Sequence, residues 1–321
     1  MKALLHYRAS QKIQDRLRTL LPAWLDLVAV DEDDNDRLAN ELADTDVLLH
    51  VLEPVDAALL RLAPRLKMIQ KIGVGLNTID LEEARCRGVR VANMPGTNSQ
   101  AVCEMSLALM FAAMRNIVGL DAATRAGRGW KMQLGALDDA TEIHGKTVEL
   151  VGFGEVPIRL ARVLGALGAR VVTHTRPPFD SDLATLLPLA DLLATSDVVS
   201  LHVPLDASTR HMINREALAQ MKPGVVLINT ARGGLIDQAA LIDALRSGHV
   251  RAAGLDVLES EPATADCALF ELPNVVVAPH VAWLTSETLD RSFEIIAENC
   301  LRLRSGEPLR FEIKLTDDKA P

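Results

Sequence analysis

Closely spaced cysteines are absent from this sequence. Its four cysteines lie far apart and form no C-x-x-C pair, namely Cys86, Cys103, Cys267 and Cys300. A zinc site or a disulfide framework needs cysteines at defined short spacings or in dense, even-numbered sets, so neither is indicated. The sequence therefore predicts a protein of the reducing cytoplasm and no metal site.

Long hydrophobic runs and an excess of positive charge are also absent. The most apolar helical segment, Ser106 to Met114, is bounded by Glu104 and Arg115 and is shorter than the ~20 residues that cross a membrane. The apolar stretch after Lys2 is too short for the core of a signal peptide. A formal net charge of -9 disfavours nucleic-acid binding, which requires a positive surface. Neither a membrane nor a nucleic acid is predicted as a partner.

What the sequence does contain is a regular alternation of short apolar runs and amphipathic helical patterns. That alternation is typical of parallel β-α-β folds, and 321 residues favour two domains at ~100 to 200 residues each. We predict an α/β protein with two doubly wound domains. The predicted strands are Val47 to Val51, Met68 to Ile72, Val89 to Ala92, Thr147 to Val151, Arg170 to Thr173, Val198 to Leu201, Val225 to Asn229, Gly254 to Val257 and Val275 to Ala278.

The domain boundaries follow from the position of a glycine-rich motif that begins after Gly145. A long helix is expected from Ser99 to Leu120, and the following β-α units complete a dinucleotide-binding domain of residues 99–285. The amphipathic segment Ser286 to Arg304 is expected to rejoin the N-terminal part, because chain ends often lie together. The second, substrate domain then comprises residues 1–98 and 286–321.

The glycine-rich motif has the context of a nucleotide-binding loop. An apolar strand, Thr147 to Val151, leads into Gly152 and Gly154 and then into a helical pattern. In a G-x-G-x-x-G motif the glycines let the backbone approach a pyrophosphate at the helix N-terminus. Pro157 replaces the third glycine, which normally allows close helix packing, but proline is tolerated in a first helical turn. For this loop alone, an ordinary strand-turn-helix connection remains an alternative.

Three reactive side chains follow predicted strands further along the chain. Arg232 lies in INTARGGLID, Glu261 in GLDVLESEP and His280 in VAPHVAW. Ligands of open α/β sheets bind outside the carboxyl ends of the strands, so these side chains are predicted to converge on one crevice. Taken singly, the three could be a surface ion-pair partner, a solvated loop acid and a core histidine. Their shared position downstream of a nucleotide loop favours catalysis.

The three residue types have complementary chemistry. The planar guanidinium of Arg232 can hold a substrate carboxylate through two parallel hydrogen bonds. His280 can exchange the proton that reduction of a carbonyl requires, because imidazole titrates near neutrality. A carboxylate at Glu261 would favour the charged form of that imidazole.

With these motifs, nearly the whole chain resembles the D-isomer-specific 2-hydroxyacid dehydrogenase family. The resemblance also covers KIGVGLNTID at 71–80, NMPGTN at 93–98, AVCE at 101–104, Gly129-Trp130 and SDVVSLHVPL at 196–205. It implies a Rossmann domain inserted in a flavodoxin-like domain, and a homodimer. It assigns substrate binding to Arg232 and acid/base catalysis to His280. It assigns to Glu261 the tuning of the His280 imidazole.

The resemblance further implies ligand contacts. The backbone of Val74 and Gly75 would bind the substrate carboxylate, and Asp256 would hold the nicotinamide carboxamide. The implied cofactor contacts are Gly152, Gly154, Glu155, Val156, His202, Val203, Thr230, Ala231 and Asp256. The expected reaction is hydride transfer between NAD(P)H and a small 2-oxo or 2-hydroxy carboxylic acid.

Details of the sequence narrow the comparison within the family. The tryptophan that follows His280, Trp283, resembles the pattern of glyoxylate/hydroxypyruvate reductases. A packing role for Trp283 is an equal alternative. Formate dehydrogenases carry glutamine where Glu261 stands, and the long phosphoglycerate dehydrogenases have a regulatory domain not expected here. Leu52, Leu76 and Trp283 are predicted to line a small, partly apolar side-chain pocket. A dinucleotide-sensing, co-repressor-like binding protein without turnover remains the alternative function.

The second nucleotide strand predicts which cofactor is preferred. Thr175 lies 21 positions beyond Gly154 (175 − 154), near the ~20-residue spacing at which NAD-specific folds place an acidic residue on the ribose. Threonine and the neighbouring Arg176 can instead bind a 2'-phosphate. We expect NADP to be preferred over NAD. Alternatively, the two residues only end a strand, which leaves dual specificity.

Overall fold

The computed structural model describes residues 1–131, 140–176 and 179–315. The chain divides into two compact units, Met1–Asn98 with Leu284–Pro321 as unit 1, and Ser99–Trp283 as unit 2. The strands are β1 Lys2–His6, β2 Asp26–Val30, β3 Val47–His50, β4 Met68–Lys71, β5 Arg90–Ala92, β6 Thr147–Val151, β7 Arg170–His174, β8 Thr185–Leu186, β9 Val198–Leu201, β10 Val225–Asn229, β11 Val250–Leu255 and β12 Val275–Val277. The α-helices are α1 Gln11–Leu20, α2 Asn35–Leu42, α3 Ala57–Arg61, α4 Leu81–Cys86, α5 Ser99–Arg115, α6 Ile117–Arg125, α7 Glu155–Ala166, α8 Leu189–Thr195, α9 Arg215–Gln220, α10 Gln238–Arg246 and α11 Ser286–Ser305.

Unit 1 is built on a parallel sheet. Its described strands follow the order β2-β1-β3-β4-β5, which is the flavodoxin-like order expected from the resemblance. Strands such as β3, with every residue buried, read as continuous apolar runs because helices cover both faces of a parallel sheet. Helix α11 contributes Phe293 and Ile296, both nearly inaccessible to solvent. The C-terminal amphipathic segment therefore buries its apolar face, as its pattern predicts.

Unit 2 contains the larger parallel sheet. Its described strands follow the order β12-β11-β10-β9-β6-β7-β8. Strands β7 and β8 are therefore added on one side of β6, and β9 to β12 on the other side. This is the doubly wound Rossmann order, in which ligands bind where the strand order reverses. One predicted strand is displaced, since β11 covers Val250–Leu255 instead of Gly254 to Val257. Residues after Leu255 leave the sheet and form the loop that carries Glu261.

The single helix predicted from Ser99 to Leu120 is wrong. Two helices, α5 and α6, meet at Asn116, whose φ is 47°, and their axes bend by 64°. Asparagine adopts this left-handed conformation more readily than most residues, so a helix can end and restart there. No single helix in the described ranges is long and apolar enough to cross a membrane, although α5 and α6 reach that criterion as a bent pair.

Pro157 does not prevent helix α7 from packing on the sheet. It lies in the first turn of α7 and is itself buried, as are Leu160, Ala161 and Leu164 further along the helix. These helix residues share one apolar core with α5 and with Leu150 of β6. A proline at the third glycine position is therefore compatible with close packing, because its missing N–H has no partner in a first turn.

Candidate active site

The turn after β6 has a backbone shape that requires glycine. Gly152 has a φ of 93°, and an added Cβ would lie 2.9 Å from Val203 Cγ1 and 3.0 Å from the His202 carbonyl oxygen. Its amide donates to the His174 carbonyl oxygen at 2.7 Å. The turn is therefore fixed between the carboxyl ends of β7 and β9. A group as large as a pyrophosphate can approach this backbone only where side chains are absent.

Helix α7 begins directly at this turn with open backbone donors. Gly154 is its N-cap and has no side chain to bond the first amides. These N–H groups and the positive end of the helix dipole fit a phosphate anion. The Glu155 carboxylate is exposed and pairs with Arg159 at 3.4 Å. Since a carboxylate repels phosphate, the backbone of Glu155 suits the predicted cofactor contact better than its side chain does.

Thr175 and Arg176 leave the sheet beside the glycine turn. They follow His174, whose carbonyl oxygen holds Gly152. Thr175 is half-buried and Arg176 is exposed. The hydroxyl and the guanidinium therefore stand at the edge where the second nucleotide strand ends, with no acidic side chain at either position.

His202 lies at the end of β9 as a neutral ring. Burial lowers its pKa to about 3, and its Nε2 lies 2.9 Å from Ser200 Oγ. Its amide donates to the Val151 carbonyl oxygen at 2.8 Å, which places His202 and Val203 against the glycine turn. An uncharged imidazole here suits a polar contact and not the pairing of a phosphate charge.

Arg232 is held by an asparagine that the sequence analysis missed. Asn229 Oδ1 accepts from the Ala231 amide at 3.0 Å, and Asn229 Nδ2 donates to the Arg232 carbonyl oxygen at 2.8 Å. An asparagine two residues before a sharp turn is a recognisable signal for such a loop. Thr230 is anchored as well, because its Oγ1 lies 2.8 Å from Ser106 Oγ of α5. These bonds fix the backbone from which the Arg232 side chain extends.

The Arg232 guanidinium is a half-buried cation. Burial lowers the pKa of Arg232, and the negative charge of Glu261 opposes that shift. Its Nη1 donates to the Ala231 carbonyl oxygen at 2.6 Å. Arginine stays protonated in proteins, so the site contains a fixed positive charge. Such a group favours a planar anion as ligand.

His280 and Glu261 form a short hydrogen bond. His280 Nδ1 lies 2.6 Å from Glu261 Oε2, and Glu261 Oε1 accepts from the Leu258 amide at 2.7 Å. Burial opposes ionisation of Glu261, but the hydrogen bond and charge of His280 together with Arg232 hold the pKa of this carboxyl below its usual value. An ionised Glu261 can only accept, so Nδ1 carries the hydrogen and Nε2 is left for a proton transfer.

Asp256 fixes the backbone at His280. Its carboxylate oxygens accept from the Val281 and Ala282 amides, each at 2.9 Å. The His280 amide donates to the Asp256 carbonyl oxygen at 2.8 Å. His280 has a φ of 56°, a conformation that costs energy for a non-glycine residue and clusters at functional sites. The predicted contact of Asp256 with a carboxamide would have to use carboxylate lone pairs that do not already accept from these two amides.

The structure thus brings Arg232, Glu261 and His280 together within unit 2. A model of the "D-isomer specific 2-hydroxyacid dehydrogenase, NAD binding domain" matches residues 107–282, more than half of the chain. The chain belongs to the D-isomer-specific 2-hydroxyacid dehydrogenase family.

Relatives of this chain carry several names. It is 44% identical over 283 residues to D-3-phosphoglycerate dehydrogenase of Mycobacterium tuberculosis, covering 87% of this chain but 53% of that protein. The chain therefore spans about half the length of these relatives. It is 38% identical to glyoxylate reductase of Korarchaeum cryptofilum, covering 84% of this chain and 83% of that one. A solved structure from Thermus thermophilus matches with a TM-score of 0.88 at 36% identity, covering 98% of this chain and 100% of that chain.

The backbone predicted to bind the substrate lies in unit 1. The loop after β4 is held by two bonds, from the Met94 amide to the Gly73 carbonyl oxygen at 2.8 Å and from Asn93 Nδ2 to the Val74 carbonyl oxygen at 3.0 Å. Val74 is exposed, and Gly75, Leu76 and Leu52 are half-buried. Their amides and side chains remain predicted substrate contacts.

Trp283 is mostly a packed side chain. Its relative exposure is 8%, and its Nε1 donates to the His280 carbonyl oxygen at 3.2 Å. This contact stabilises the turn that presents His280. The packing alternative for Trp283 therefore has direct structural support.

No group of three or more His, Cys, Asp or Glu side chains in the described ranges is arranged to hold a metal ion.

Proposed function

We propose that this protein is an NAD(P)-dependent dehydrogenase that interconverts a small 2-oxo carboxylate and its 2-hydroxy acid. The observation that carries the proposal is the ionised Glu261 bound to His280 Nδ1 beside the half-buried cation of Arg232. Unit 2 would bind the dinucleotide and, through Arg232, the substrate carboxylate. When bound, the nicotinamide would supply or accept the hydride.

Each of the three side chains has a defined task in this proposal. Arg232 binds the substrate carboxylate and orients the adjacent carbonyl. His280 donates a proton from Nε2 to the substrate oxygen during reduction and takes it back during oxidation. Glu261 accepts from Nδ1 and so fixes the orientation and the tautomer of the ring. In unit 1, the backbone amides of Val74 and Gly75 are proposed substrate contacts.

The fit of a dinucleotide rests on the glycine turn. Gly152 leaves no room for a Cβ, and the first amides of α7 are not capped by a side chain. Gly152, Gly154 and the backbone of Glu155 and Val156 would hold the pyrophosphate. Val203, Thr230 and Ala231 would line the nicotinamide side, and Asp256 would accept from its carboxamide.

A substrate panel tests the proposed function. Purified protein is assayed with NADPH and with NADH against glyoxylate, hydroxypyruvate and pyruvate, and with 3-phosphoglycerate in the oxidative direction. We expect turnover with at least one small unphosphorylated 2-oxo acid, as the names of relatives suggest. Cofactor binding without turnover across the panel would favour the co-repressor-like binding protein instead.

The Arg232→Lys variant should lose most of its catalytic efficiency. A lysine ammonium cannot reproduce two parallel hydrogen bonds to a carboxylate, and one charged hydrogen bond contributes about 1.5 to 3 kcal/mol. We expect kcat/KM to fall about 10- to 100-fold, chiefly through KM. Arg215→Lys is the matched control, because Arg215 is exposed and pairs with Asp243 at 2.8 Å. Wild-type kinetics in Arg232→Lys would exclude the proposed carboxylate clamp.

For the cofactor, we propose a preference for NADPH through Thr175 and Arg176. In steady-state assays kcat/KM should be higher with NADPH than with NADH. The double variant Thr175→Asp, Arg176→Ala should reverse this ratio, because an aspartate repels the 2'-phosphate. Arg170→Ala, an exposed position at the opposite end of β7, serves as control. A wild-type preference for NADH would contradict the assignment.

We also propose that the protein is a homodimer that uses α6 and the short turn after it. Three apolar side chains there are exposed, Ile117 at 51%, Val118 at 54% and Trp130 at 93%. Exposed apolar patches often mark protein interfaces. Light scattering coupled to size-exclusion chromatography should give twice the mass of one chain, and Val118→Glu should shift it toward one chain. A wild-type mass equal to a single chain would refute the dimer.

A further inference from the structure

The loop that carries Glu261 contains a second glutamate with its own histidine partner. Glu259 Oε1 lies 2.6 Å from His211 Nε2, whereas Glu261 pairs with His280. His211 follows β9 in a separate loop and has no task in the proposed chemistry. Residues 258–261 therefore contain the carboxylates of two histidine-carboxylate pairs. The Glu261–His280 pair lies in the candidate site, and the Glu259–His211 pair lies outside it.

Glu259 is also bonded to the start of helix α10. The Gln238 amide donates to Glu259 Oε2 at 3.4 Å, and the Glu259 amide donates to Gln238 Oε1 at 3.3 Å. The residue is thus held through its side chain and its backbone. These bonds connect the loop to the first residue of helix α10.

The same loop packs directly on the backbone next to Arg232. A Cβ added to Gly233 would lie 1.9 Å from the Leu258 carbonyl oxygen and 2.5 Å from the Glu259 amide nitrogen. The His211 amide donates to the Gly234 carbonyl oxygen at 2.8 Å. His211 therefore contacts both the Gly233-Gly234 segment and the loop that lies over it. A change at this contact would move the backbone on both sides.

We propose that the His211–Glu259 pair positions the acid/base machinery. By tying residues 258–261 to the Gly233-Gly234 segment, the pair sets the location of the Glu261 carboxylate relative to His280 and Arg232. The Glu261 bond to the Leu258 amide lies within this loop, so displacement of Glu259 is transmitted to Glu261. The inference rests on the proposed function, in which Glu261 and His280 act on the transferred proton.

The loss of a surface ion pair without this positioning role would leave His280 unaffected. His211 and Glu259 are about one-third exposed, and pairs of this kind contribute little to stability. The loss of the pair should therefore leave thermal stability nearly unchanged. Its effect should instead appear at His280, which touches neither residue.

The test is a double-mutant cycle with Glu259→Ala, His211→Ala and the double variant. Two readouts are followed for each protein. The first is the NMR titration curve of the His280 ring, assigned by comparison with a His280→Asn sample, and Glu261→Gln serves as the reference for a ring without its carboxylate. The second is the pH profile of kcat for the best substrate of the panel.

We expect both single variants to shift the His280 titration curve toward that of Glu261→Gln and to lower kcat about 10-fold, with the double variant no worse than either. Asp243→Asn, which breaks the exposed Arg215–Asp243 pair, should change neither readout. Unchanged His280 titration in the single variants, additive losses in the double variant, or an equal effect of Asp243→Asn would overturn the proposal. The titration requires no turnover, so its result stands even if the proposed function fails.

Discussion

The His280→Asn variant should lose about 10²- to 10⁴-fold in kcat, which is the usual contribution of a general acid or base. Its affinity for the nicotinamide cofactor should stay near that of the wild type. The reason is that Nε2 of His280 can exchange a proton with the substrate oxygen, whereas Nδ1 is bonded to Glu261. Glu261 already uses Oε2 for Nδ1 and Oε1 for the Leu258 amide.

Asparagine is the suitable replacement because of the backbone at this position. With a φ of 56°, residue 280 lies in the left-handed region, which asparagine tolerates better than alanine or valine. The bonds from Asp256 to the following amides can therefore persist in the variant. A loss of kcat then reports on the missing imidazole and not on a rearranged turn.

The measurement is steady-state kinetics together with cofactor titration by fluorescence. His144→Asn is the matched control, since His144 is exposed in the loop before β6 and should retain wild-type turnover. If His280→Asn keeps wild-type kcat across the pH range, His280 has no role in proton transfer.

Apolar runs predicted the strands of unit 2 well because a parallel sheet buries both of its faces. Thr147–Val151, Val198–Leu201 and Val225–Asn229 are observed with the predicted bounds. Strands β1 and β2 were not predicted. In β1 only three apolar residues stand between Lys2 and His6, and His6 is buried by its neighbours in the sheet. Local pattern alone does not reveal such tertiary burial.

The reactive side chains of the candidate site could be found from the sequence, but the residues that hold them could not. Arg232, Glu261 and His280 follow strands, and strand ends meet at one edge of the sheet. The contact between Thr230 and Ser106 joins residues 124 positions apart, and that between Glu259 and His211 joins residues 48 apart. No periodic pattern encodes such pairs, since each depends on how separate loops pack.

A buried acid in the nucleotide-binding unit leads to the second large prediction. Glu149 lies in β6 and is fully inaccessible to solvent, between Val172 of β7 and Val199 of β9 in the sheet register. Neither carboxyl oxygen has a hydrogen-bond partner among the described residues. Burial raises the pKa of Glu149 from 4.5 to about 8, because an unpaired carboxylate is strongly disfavoured away from water.

This shift makes the stability of the wild type depend on pH. Between pH 4.5 and about 8 the folded protein keeps a proton that the unfolded chain releases. The free energy of unfolding therefore decreases as pH rises through this window and levels off above it. At about 1.4 kcal/mol per pKa unit, the decrease has an upper value of about 5 kcal/mol.

The Glu149→Val variant should remove this pH dependence. Valine suits a central parallel strand flanked by valines, so the variant should be more stable than the wild type at pH 8, and the gain should shrink toward pH 5. Urea denaturation of both proteins at pH 5, 6, 7 and 8 measures the difference, and Glu142→Val, at an exposed position just before β6, controls for loss of a surface charge. If the wild-type and Glu149→Val curves run parallel from pH 5 to 8, Glu149 does not hold its proton in the folded protein, and its carboxylate must have a partner that compensates its burial.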